Sequence, residues 1–156
     1  MLHHKNIALA LEENAKRRGN HPAIINGAKV ISYRDLDIAV KKIAGHLKDQ
    51  NVKEGALIGV CLPDTADHLM VLYAIARLGA VILPMDWRWT ETEKTNVATF
   101  FKVSLIIGAP GDGISGFKYL STDSKWQKLV HQRAADTSCT PGGTRPVVLS
   151  LSSGPT

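Results

Sequence analysis

The last seven residues of the chain, 150–156, combine hydroxyl side chains with a glycine directly after an apolar run at 147–149. Ser152, Ser153 and Thr156 supply hydroxyls, and Gly154 lets another molecule approach the backbone without a steric penalty. Such a loop presents N–H groups and hydroxyls to phosphate oxygens. Serine, glycine and proline also cluster in ordinary turns, and the segment lacks the GxxxxGK[ST] pattern of a Walker loop. The residues alone therefore leave two interpretations, a phosphate-binding loop and a plain turn.

Two further groups of chemically versatile residues favour structural roles. Asp64, Asp67 and His68 lie close together, but acids before a helix more often complement its dipole than form an acid–base or metal site. The two cysteines, Cys61 and Cys139, have no CxxC spacing and no histidine cluster that would bind zinc. The sequence therefore predicts no metal site.

The elements that must position the terminal loop begin with a helix and a hairpin. Apolar residues at helical spacing predict the first helix, which we expect to end at a left-handed Gly19; they are Ile7, Ala10, Leu11 and Ala15. Two short strands, at 23–25 and 29–31, flank Asn26 and Gly27. This dipeptide tolerates the positive φ angles of a tight turn, so the pattern predicts a β-hairpin.

Two capping boxes predict helices that begin after Ser32 and Thr90. The first box, Ser32 to Asp35, precedes an apolar stripe at Leu36, Ala39, Val40, Ile43, Ala44 and Leu47. A cap contributes about 1 kcal/mol, whereas burial contributes roughly 1.5–3 kcal/mol for each large apolar side chain, so packing dominates. The second box, Thr90 to Glu93, precedes Val97, Phe100 and Phe101.

Three apolar runs read as buried strands, at 56–61, 81–83 and 103–107. A largely apolar helix at 64–78, with Gly79 after it, connects the first two. This alternation predicts an α/β fold, a layered and mostly parallel sheet flanked by helices. Glycine-rich or polar stretches at 109–116 and 137–146 are expected to be loops.

The composition limits the class of protein. The chain has 156 residues, of which 44% are hydrophobic, enough for one domain with a buried core. Its net charge of +5 is spread among interleaved acidic and basic residues, without an aromatic and basic platform for nucleic acid. The N-terminus lacks a signal-peptide pattern, and Arg77 and Gly79 interrupt the apolar stretch 69–83. We expect a cytoplasmic protein with no nucleic-acid partner and no transmembrane segment.

Four stretches match motifs of one enzyme family. Residues 31–36 (ISYRDL) match a hydrophobic-Thr/Ser-Tyr-x-Glu/Asp-Leu segment, and residues 55–63 match a Gly-Asp-x-Val-Ala-hydrophobic strand. Residues 74–86 (AIARLGAVILPMD) match Ala-x-x-Lys-x-Gly-Ala-x-x-x-Pro-hydrophobic-Asn/Asp, with Thr90 and Glu93 at the following Thr-x-x-Glu helix start. Residues 152–156 (SSGPT) match the beginning of Thr-Ser-Gly-Thr-Thr-Gly-x-Pro-Lys-Gly. In these motifs the chain resembles the adenylate-forming (AMP-binding) superfamily of acyl-CoA synthetases, peptide synthetase adenylation domains and luciferases.

The resemblance implies that residues 1–156 are the N-terminal portion of an AMP-binding large domain. It also implies that Ser152, Ser153, Gly154 and Thr156 contact the phosphates of ATP, with Mg²⁺ offsetting the phosphate charge. Pro155 departs from the motif because it has neither a hydroxyl nor an N–H. In the family, the rest of this loop, the acyl pocket and the catalytic lysine lie beyond the position of Thr156. We therefore name no catalytic residue and expect the chain alone to be inactive.

The reaction implied by the resemblance joins a small carboxylic acid to coenzyme A through an acyl-adenylate, as in fatty-acid metabolism, with ATP, Mg²⁺ and coenzyme A as cofactors. General likeness favours an acid–CoA ligase over a peptide synthetase adenylation domain, which would pass its product to a carrier protein. A different class stays open, a non-catalytic interaction or folding module, which a large exposed apolar face would favour. Such a face, or an unpaired sheet edge, would also support a homodimer.

Overall fold

The computed structural model describes residues 6–111, 113–138 and 146–152. Its elements follow one another as α1 (Ile7–Arg18), β1 (Pro22–Asn26), β2 (Lys29–Ser32), α2 (Tyr33–Asp49), β3 (Leu57–Cys61), α3 (Ala66–Arg77), β4 (Val81–Pro84), α4 (Glu91–Phe100), β5 (Leu105–Gly108), β6 (Tyr119–Ser121) and α5 (Ser124–Gln132). Strands β1 and β2 pair in an antiparallel hairpin. The predicted α/β class is confirmed.

The central sheet is parallel and has the strand order β4-β3-β5-β6. Ile58 of β3 lies opposite Ile82 of β4 on one side and Leu105 of β5 on the other. The chain therefore runs outward from β3 to β4 and then crosses back over β3 to reach β5. Because every connection is a parallel crossover, each must carry the chain back across a face of the sheet.

Helices cover both faces of this sheet. Ile58, Val60 and Ile107 point into one core, which is built mainly with α2, α3 and α5. Cys61 and Ile106 point into a second core on the opposite face, together with Met85, Ala98, Val103 and Ile114. Alternate residues of one strand therefore enter different cores, which explains why the strands read as continuous apolar runs rather than as alternating ones.

The predicted capping box at Thr90 is complete, and at Ser32 the side chain caps the helix. The Ser32 Oγ accepts a hydrogen bond from the Asp35 N–H at 3.1 Å and donates one to the Asp35 carboxylate at 2.7 Å. The Thr90 Oγ1 accepts from the Glu93 N–H at 3.3 Å, while the Glu93 carboxylate accepts from the Thr90 N–H at 2.8 Å. Both helix starts are thus fixed by side chains, as the sequence predicted.

The prediction of a left-handed Gly19 was wrong. Its φ is −54°, a right-handed value, and space explains the glycine instead. A Cβ at this position would lie 3.2 Å from the Arg34 guanidinium and 2.6 Å from the Ala15 carbonyl oxygen. By contrast, Gly79 after α3 has a φ of 69°, as predicted for a helix end.

The hairpin turn and the outer faces of two helices also differ from expectation. Asn26 is the last residue of β1, and the turn begins at Gly27, whose φ is 59°. In α1, the buried side chains are Ala8 and Leu11, whereas the predicted Ile7 is exposed. Phe100 in α4 is 79% exposed, so the predicted apolar stripe does not all face the core. In each case the element was predicted correctly, and the error concerns the start of the turn or which residues of the helix face the core.

Strand β6 and helix α5 were not predicted. Strand β6 has three residues, too few to display a period. Helix α5 did leave a signal, because Asp123 caps it by accepting from the Trp126 N–H at 2.9 Å, and Trp126 and Val130 are its buried pair. A cap followed by apolar residues four apart marks a short helix.

A partly buried ion cluster joins the first three helices. Arg77 of α3 is 1% exposed and donates to the Glu12 carboxylate of α1 at 3.2 Å. Lys16 donates to Glu12 at 2.8 Å, and Lys41 of α2 lies 3.6 Å from it. The hydrogen bonds from Lys16 and then from Arg77 lower the pKa of Glu12 to about 2, against the opposing effect of burial. The cluster therefore holds Glu12 ionised.

Within the described ranges, every helix is too short or too polar to traverse a lipid bilayer.

The Thr90 cap predicts a measurable loss of stability. We expect Thr90→Ala to lower the free energy of unfolding by about 1 kcal/mol, because the first turn of α4 loses its side-chain acceptor. Urea unfolding monitored by circular dichroism measures the change. Thr92→Ala, the same substitution at an exposed position of the same turn, is the control and should change the stability by less than half as much. Equal effects of the two variants would show that the cap is unimportant.

The low pKa of Glu12 predicts an acid-dependent loss of stability. Because the folded-state pKa is about 2 and the ordinary value is 4.5, ionised Glu12 stabilises the fold above pH 4.5, and this contribution is lost as the pH falls towards 2. Glu12→Gln should therefore flatten the dependence of the unfolding free energy on pH between 5 and 3. A slope of Glu12→Gln equal to that of the wild type would contradict the stabilising role of the ionised Glu12.

Candidate functional site

The strands of the central sheet all end on one edge. Since β3, β4, β5 and β6 are parallel, the residues that follow them emerge together; these are Leu62 to Asp64, Met85 and Asp86, Ala109, and Thr122. In open parallel sheets, ligands bind in the crevice outside the carboxyl ends of the strands. This edge is therefore where a binding site is expected.

The predicted apolar run at 147–149 reaches the same edge. Val148 forms a parallel bridge with Ile82 of β4. The Ile82 N–H donates to the Val147 carbonyl at 2.8 Å, and the Leu149 N–H donates to the Ile82 carbonyl at 2.8 Å. The segment thus extends the sheet beyond β4, in the same direction as the other strands. Residues 150–152 leave it at the carboxyl edge.

Of the predicted phosphate-binding residues, the structure describes Ser152, which is exposed. Ser153, Gly154 and Thr156 lie outside the described residues, as does Pro155. Their contacts with ATP phosphates stay a prediction. The structure does show the residue directly before them, Ser152, which is exposed at the edge of a parallel sheet.

Apolar side chains are exposed along the segment that leads to this loop. Val148 is 50% exposed, Leu149 38% and Leu151 45%. Exposed apolar side chains of this kind are what the alternative of an interaction module predicts. Nothing in the described part of the chain supports the expected homodimer.

An ion pair stands at the end of β4. Arg88 donates to the two carboxylate oxygens of Asp86, from Nε at 2.9 Å and from Nη2 at 2.7 Å, and its N–H donates at 2.9 Å. These hydrogen bonds from Arg88 lower the pKa of Asp86 to about 2, and the charge of Lys94 adds to the effect. Asp86 is therefore a fixed carboxylate, which suits it to orient Arg88 and not to accept a proton near neutral pH.

The acids before α3 and the buried cysteine have structural positions. Thr65 caps α3 by accepting from the His68 N–H at 3.4 Å, and Asp67 lies in the first turn, as a helix-start acid should. The His68 Nδ1 lies 3.6 Å from an oxygen of Asp64. Cys61 is buried, as predicted. No cluster of three or more metal-binding side chains occurs among the described residues, and Cys139 lies outside them.

Sequence reasoning missed Lys94. Its side chain is 6% exposed, although a lysine in the first turns of a polar helix gives no sign of burial in the sequence. Four positions earlier, Thr90 marks the helix start, and the glycines at 111 and 113 mark a loop. These were the available signals, but nothing in the sequence alone says that the helix and the loop meet.

Comparison with known proteins agrees with the motifs. Residues 11–150 match the family model described as AMP-binding enzyme.

Three similar proteins illustrate the range of enzymes that this chain resembles. Phosphinothricin tripeptide synthetase PhsC of Streptomyces viridochromogenes is 36% identical over 84 residues, 54% of this chain and 8% of that protein. The 4-coumarate–CoA ligase CCL1 of Humulus lupulus is 28% identical over 123 residues, 72% of this chain and 22% of that protein. The solved structure of Mycobacterium tuberculosis fatty acyl CoA synthetase has a TM-score of 0.85 at 18% identity, covering 95% of this chain and 32% of that one. The chain thus spans less than a quarter of both curated relatives and about a third of the solved chain.

The pairing of residues 147–149 with β4 predicts a position-dependent effect of proline. Leu149→Pro removes the N–H that donates to Ile82, so it should detach the segment and speed hydrogen exchange of the Ile82 amide at least about fivefold, the equivalent of roughly 1 kcal/mol. Val148→Pro is the matched control, because the described bonds to Ile82 use the Val147 carbonyl and the Leu149 N–H. Similar exchange in both variants would contradict the pairing.

Proposed function

We propose a function from one established premise: this chain belongs to the AMP-binding enzyme family, whose model matches residues 11–150. We propose that residues 1–156 are the N-terminal portion of the large domain of an ATP-dependent acid–CoA ligase. In this proposal the chain supplies the α/β scaffold and the beginning of the ATP phosphate-binding loop. The protein that contains it acts in the cytoplasm on small carboxylic acids, fatty acids among them.

The proposed reaction has two steps. An oxygen of the substrate carboxylate bonds to the α-phosphorus of ATP while the bond to the pyrophosphate leaving group breaks, which gives an acyl-adenylate. The thiol of coenzyme A then loses its proton and bonds to the acyl carbon, and AMP leaves. When bound, Mg²⁺ offsets the negative charge that the phosphates bring to the site.

The residues proposed to hold the phosphates act through hydrogen bonds and close approach. The hydroxyls of Ser152, Ser153 and Thr156 donate to phosphate oxygens, and Gly154 admits a phosphate against the backbone. Pro155 donates nothing, because it has no N–H. Ser152 lies at the carboxyl edge, from which a hydrogen bond to the phosphates would help to orient the phosphate chain for attack at the α-phosphorus.

The observation that carries the proposal is the pairing of residues 147–149 with β4. This pairing brings Ser152 to the carboxyl edge of a parallel sheet. A Ser/Gly/Thr segment in an arbitrary surface loop would be an ordinary turn, whereas at this edge it follows the general location of ligand sites in α/β folds. Membership of the AMP-binding enzyme family supports a nucleotide as the ligand, and the position of Ser152 at the carboxyl edge supports a contact with its phosphates.

A second candidate is the adenylation domain of a peptide synthetase. It is favoured by the similarity to the tripeptide synthetase PhsC, which at 36% has a higher identity than the CoA ligase CCL1 at 28%, although over a shorter stretch. The two candidates share the first reaction step. They differ in the acceptor of the acyl group, which is coenzyme A in one and a carrier protein in the other.

Carboxylate-dependent ATP–pyrophosphate exchange tests the shared first step. We expect the product of the gene that encodes this chain to catalyse exchange with Mg²⁺ and at least one acid from a panel of short, long and aromatic acids. Ser152→Ala should slow exchange about tenfold or more, the loss expected for one hydrogen bond to a charged group. Ser150→Ala, outside the matched positions, should have little effect. A well-folded protein without exchange for any acid would contradict the enzyme and leave the interaction module.

The acceptor separates the two candidates. With the acid that supports exchange, the proposed ligase should convert free coenzyme A to its acyl thioester, as detected by loss of free thiol and by mass spectrometry. Release of AMP only after addition of a carrier protein that bears a phosphopantetheine arm would contradict the ligase and support the adenylation domain.

A further inference from the structure

The register of two neighbouring segments brings an ion pair to the beginning of the proposed phosphate-binding loop. Val148 pairs with Ile82 of β4 in a parallel bridge. Ser152 stands four residues after Val148, and Asp86 stands four residues after Ile82. Because neighbouring parallel strands advance by nearly the same distance for each residue, Ser152 and Asp86 leave the carboxyl edge at matching positions.

Pro84 ends the pairing between these two segments. The Ile82 N–H donates to the Val147 carbonyl, and the Leu149 N–H donates to the Ile82 carbonyl. The next hydrogen bond of a parallel ladder would run from residue 84 to the Leu149 carbonyl, but proline has no N–H to donate. Beyond this point the sheet does not hold residues 150–152 against the end of β4, so a ligand can enter between them.

The ion pair at this end of β4 fixes the direction of a guanidinium group. Arg88 donates from Nε and Nη2 to the two carboxylate oxygens of Asp86, at 2.9 and 2.7 Å. A guanidinium group has five N–H donors, so three remain, and two of these are on Nη1. The side chain of Arg88 is 71% exposed, and no described residue accepts a hydrogen bond from the three remaining donors. They are therefore available to a ligand.

Directed hydrogen bonds, rather than net charge, would bind an anion here. Asp86 offsets the charge of Arg88, and two further charges act on the pair, those of Lys94 and Asp64. Glu93 is another acid within reach of Asp86. The surroundings thus carry no excess of positive charge. A guanidinium group still suits a phosphate, because its planar donors match two phosphate oxygens at once.

Stability does not account for the pair. Asp86 and Arg88 both belong to the connection between β4 and α4, so their contact joins no separate elements of the fold. An exposed ion pair of this kind contributes little, because water and salt screen it. A role towards a ligand is the better explanation for a guanidinium group held in one direction.

On the premise of the proposed function, we propose that Arg88 is a further phosphate-binding residue, which Asp86 orients towards the phosphates of ATP at the loop that begins at Ser152. Arg88 contacts the phosphates through its three remaining N–H groups. Asp86 is a positioning residue that acts through Arg88, because its carboxylate holds two of the guanidinium nitrogens.

Binding of ATP and of adenosine to the product of the gene that encodes this chain, measured by isothermal titration calorimetry, tests the proposal. Arg88→Met keeps a long side chain and removes the donors, so ATP should bind at least about tenfold more weakly, as expected for lost hydrogen bonds to a charged group. Adenosine has no phosphate, and its affinity should change less than twofold. A merely structural role of Arg88 would weaken both ligands alike. Arg17→Met, at an exposed position of α1, is the matched control and should change neither affinity by more than twofold.

Asp86→Asn tests the positioning role. It should weaken ATP binding about threefold or more in the wild-type background and have no further effect in Arg88→Met, because Asp86 acts only through Arg88. Additive losses in the double variant would overturn this role.

Two kinds of failure are distinguishable. Equal ATP affinities of the wild type and Arg88→Met, or parallel losses of ATP and adenosine, would overturn the role of Arg88 even where the wild type catalyses ATP–pyrophosphate exchange. A wild type that neither binds ATP nor catalyses exchange would contradict the proposed function, and the role of Arg88 with it. Should Arg88→Met fail to fold, Arg88→Lys keeps the charge without the planar fork, and an unchanged ATP affinity of that variant would overturn the proposal equally.

Discussion

Burial of both faces of a parallel sheet is the constraint on which the rest of this structure depends. The middle strands, β3 and β5, bury every residue except the partly covered Leu57, so helices must lie on each side. Parallel strands cannot be joined by tight turns, and each crossover returns the chain to the same end of the sheet. The carboxyl ends of the strands are thereby gathered at one edge. The position of the candidate site is a consequence of covering the sheet.

Local signals in the sequence were sufficient where a few neighbouring residues determine the conformation. The helix caps at Ser32 and Thr90 and the left-handed Gly79 are of this kind, since each depends on contacts within one turn. The prediction for Gly19 failed because a glycine after a helix can meet either of two requirements. A Cβ at this position would lie 2.6 Å from the Ala15 carbonyl oxygen and 3.2 Å from the Arg34 guanidinium, so the requirement here is steric, although the sequence reads like that of a helix-ending glycine. Propensity cannot decide between a conformational and a steric requirement for glycine.

The candidate site could be predicted only in part, because the chemistry of the loop and its position in the fold are determined by different features of the sequence. The order of motifs up to Ser152 indicates the family and hence the chemistry of the loop. The pairing of Val148 with Ile82 is a contact across 66 positions, and no periodicity specifies which strand an apolar run will join. The same limit hid the meeting of α4 with the glycine loop. Long-range proximity, rather than element type, is what the structure had to supply.

Two buried basic residues of the fold, Arg77 and Lys94, differ in the partners of their charged groups. Arg77 is 1% exposed and Lys94 6%, so most of the surface of each residue is buried. Arg77 donates hydrogen bonds to the Glu12 carboxylate and the Thr137 carbonyl, so its charge is paired within the fold. Through Glu12, which Lys41 also approaches, this ion cluster links α3 to α1 and α2. The Lys94 side chain forms no hydrogen bond or ion pair with a described residue, although its charge acts on Asp86. Because a lysine can bury its apolar stem while its charged end stays in contact with water, burial of the residue does not by itself show that its charge is paired within the fold.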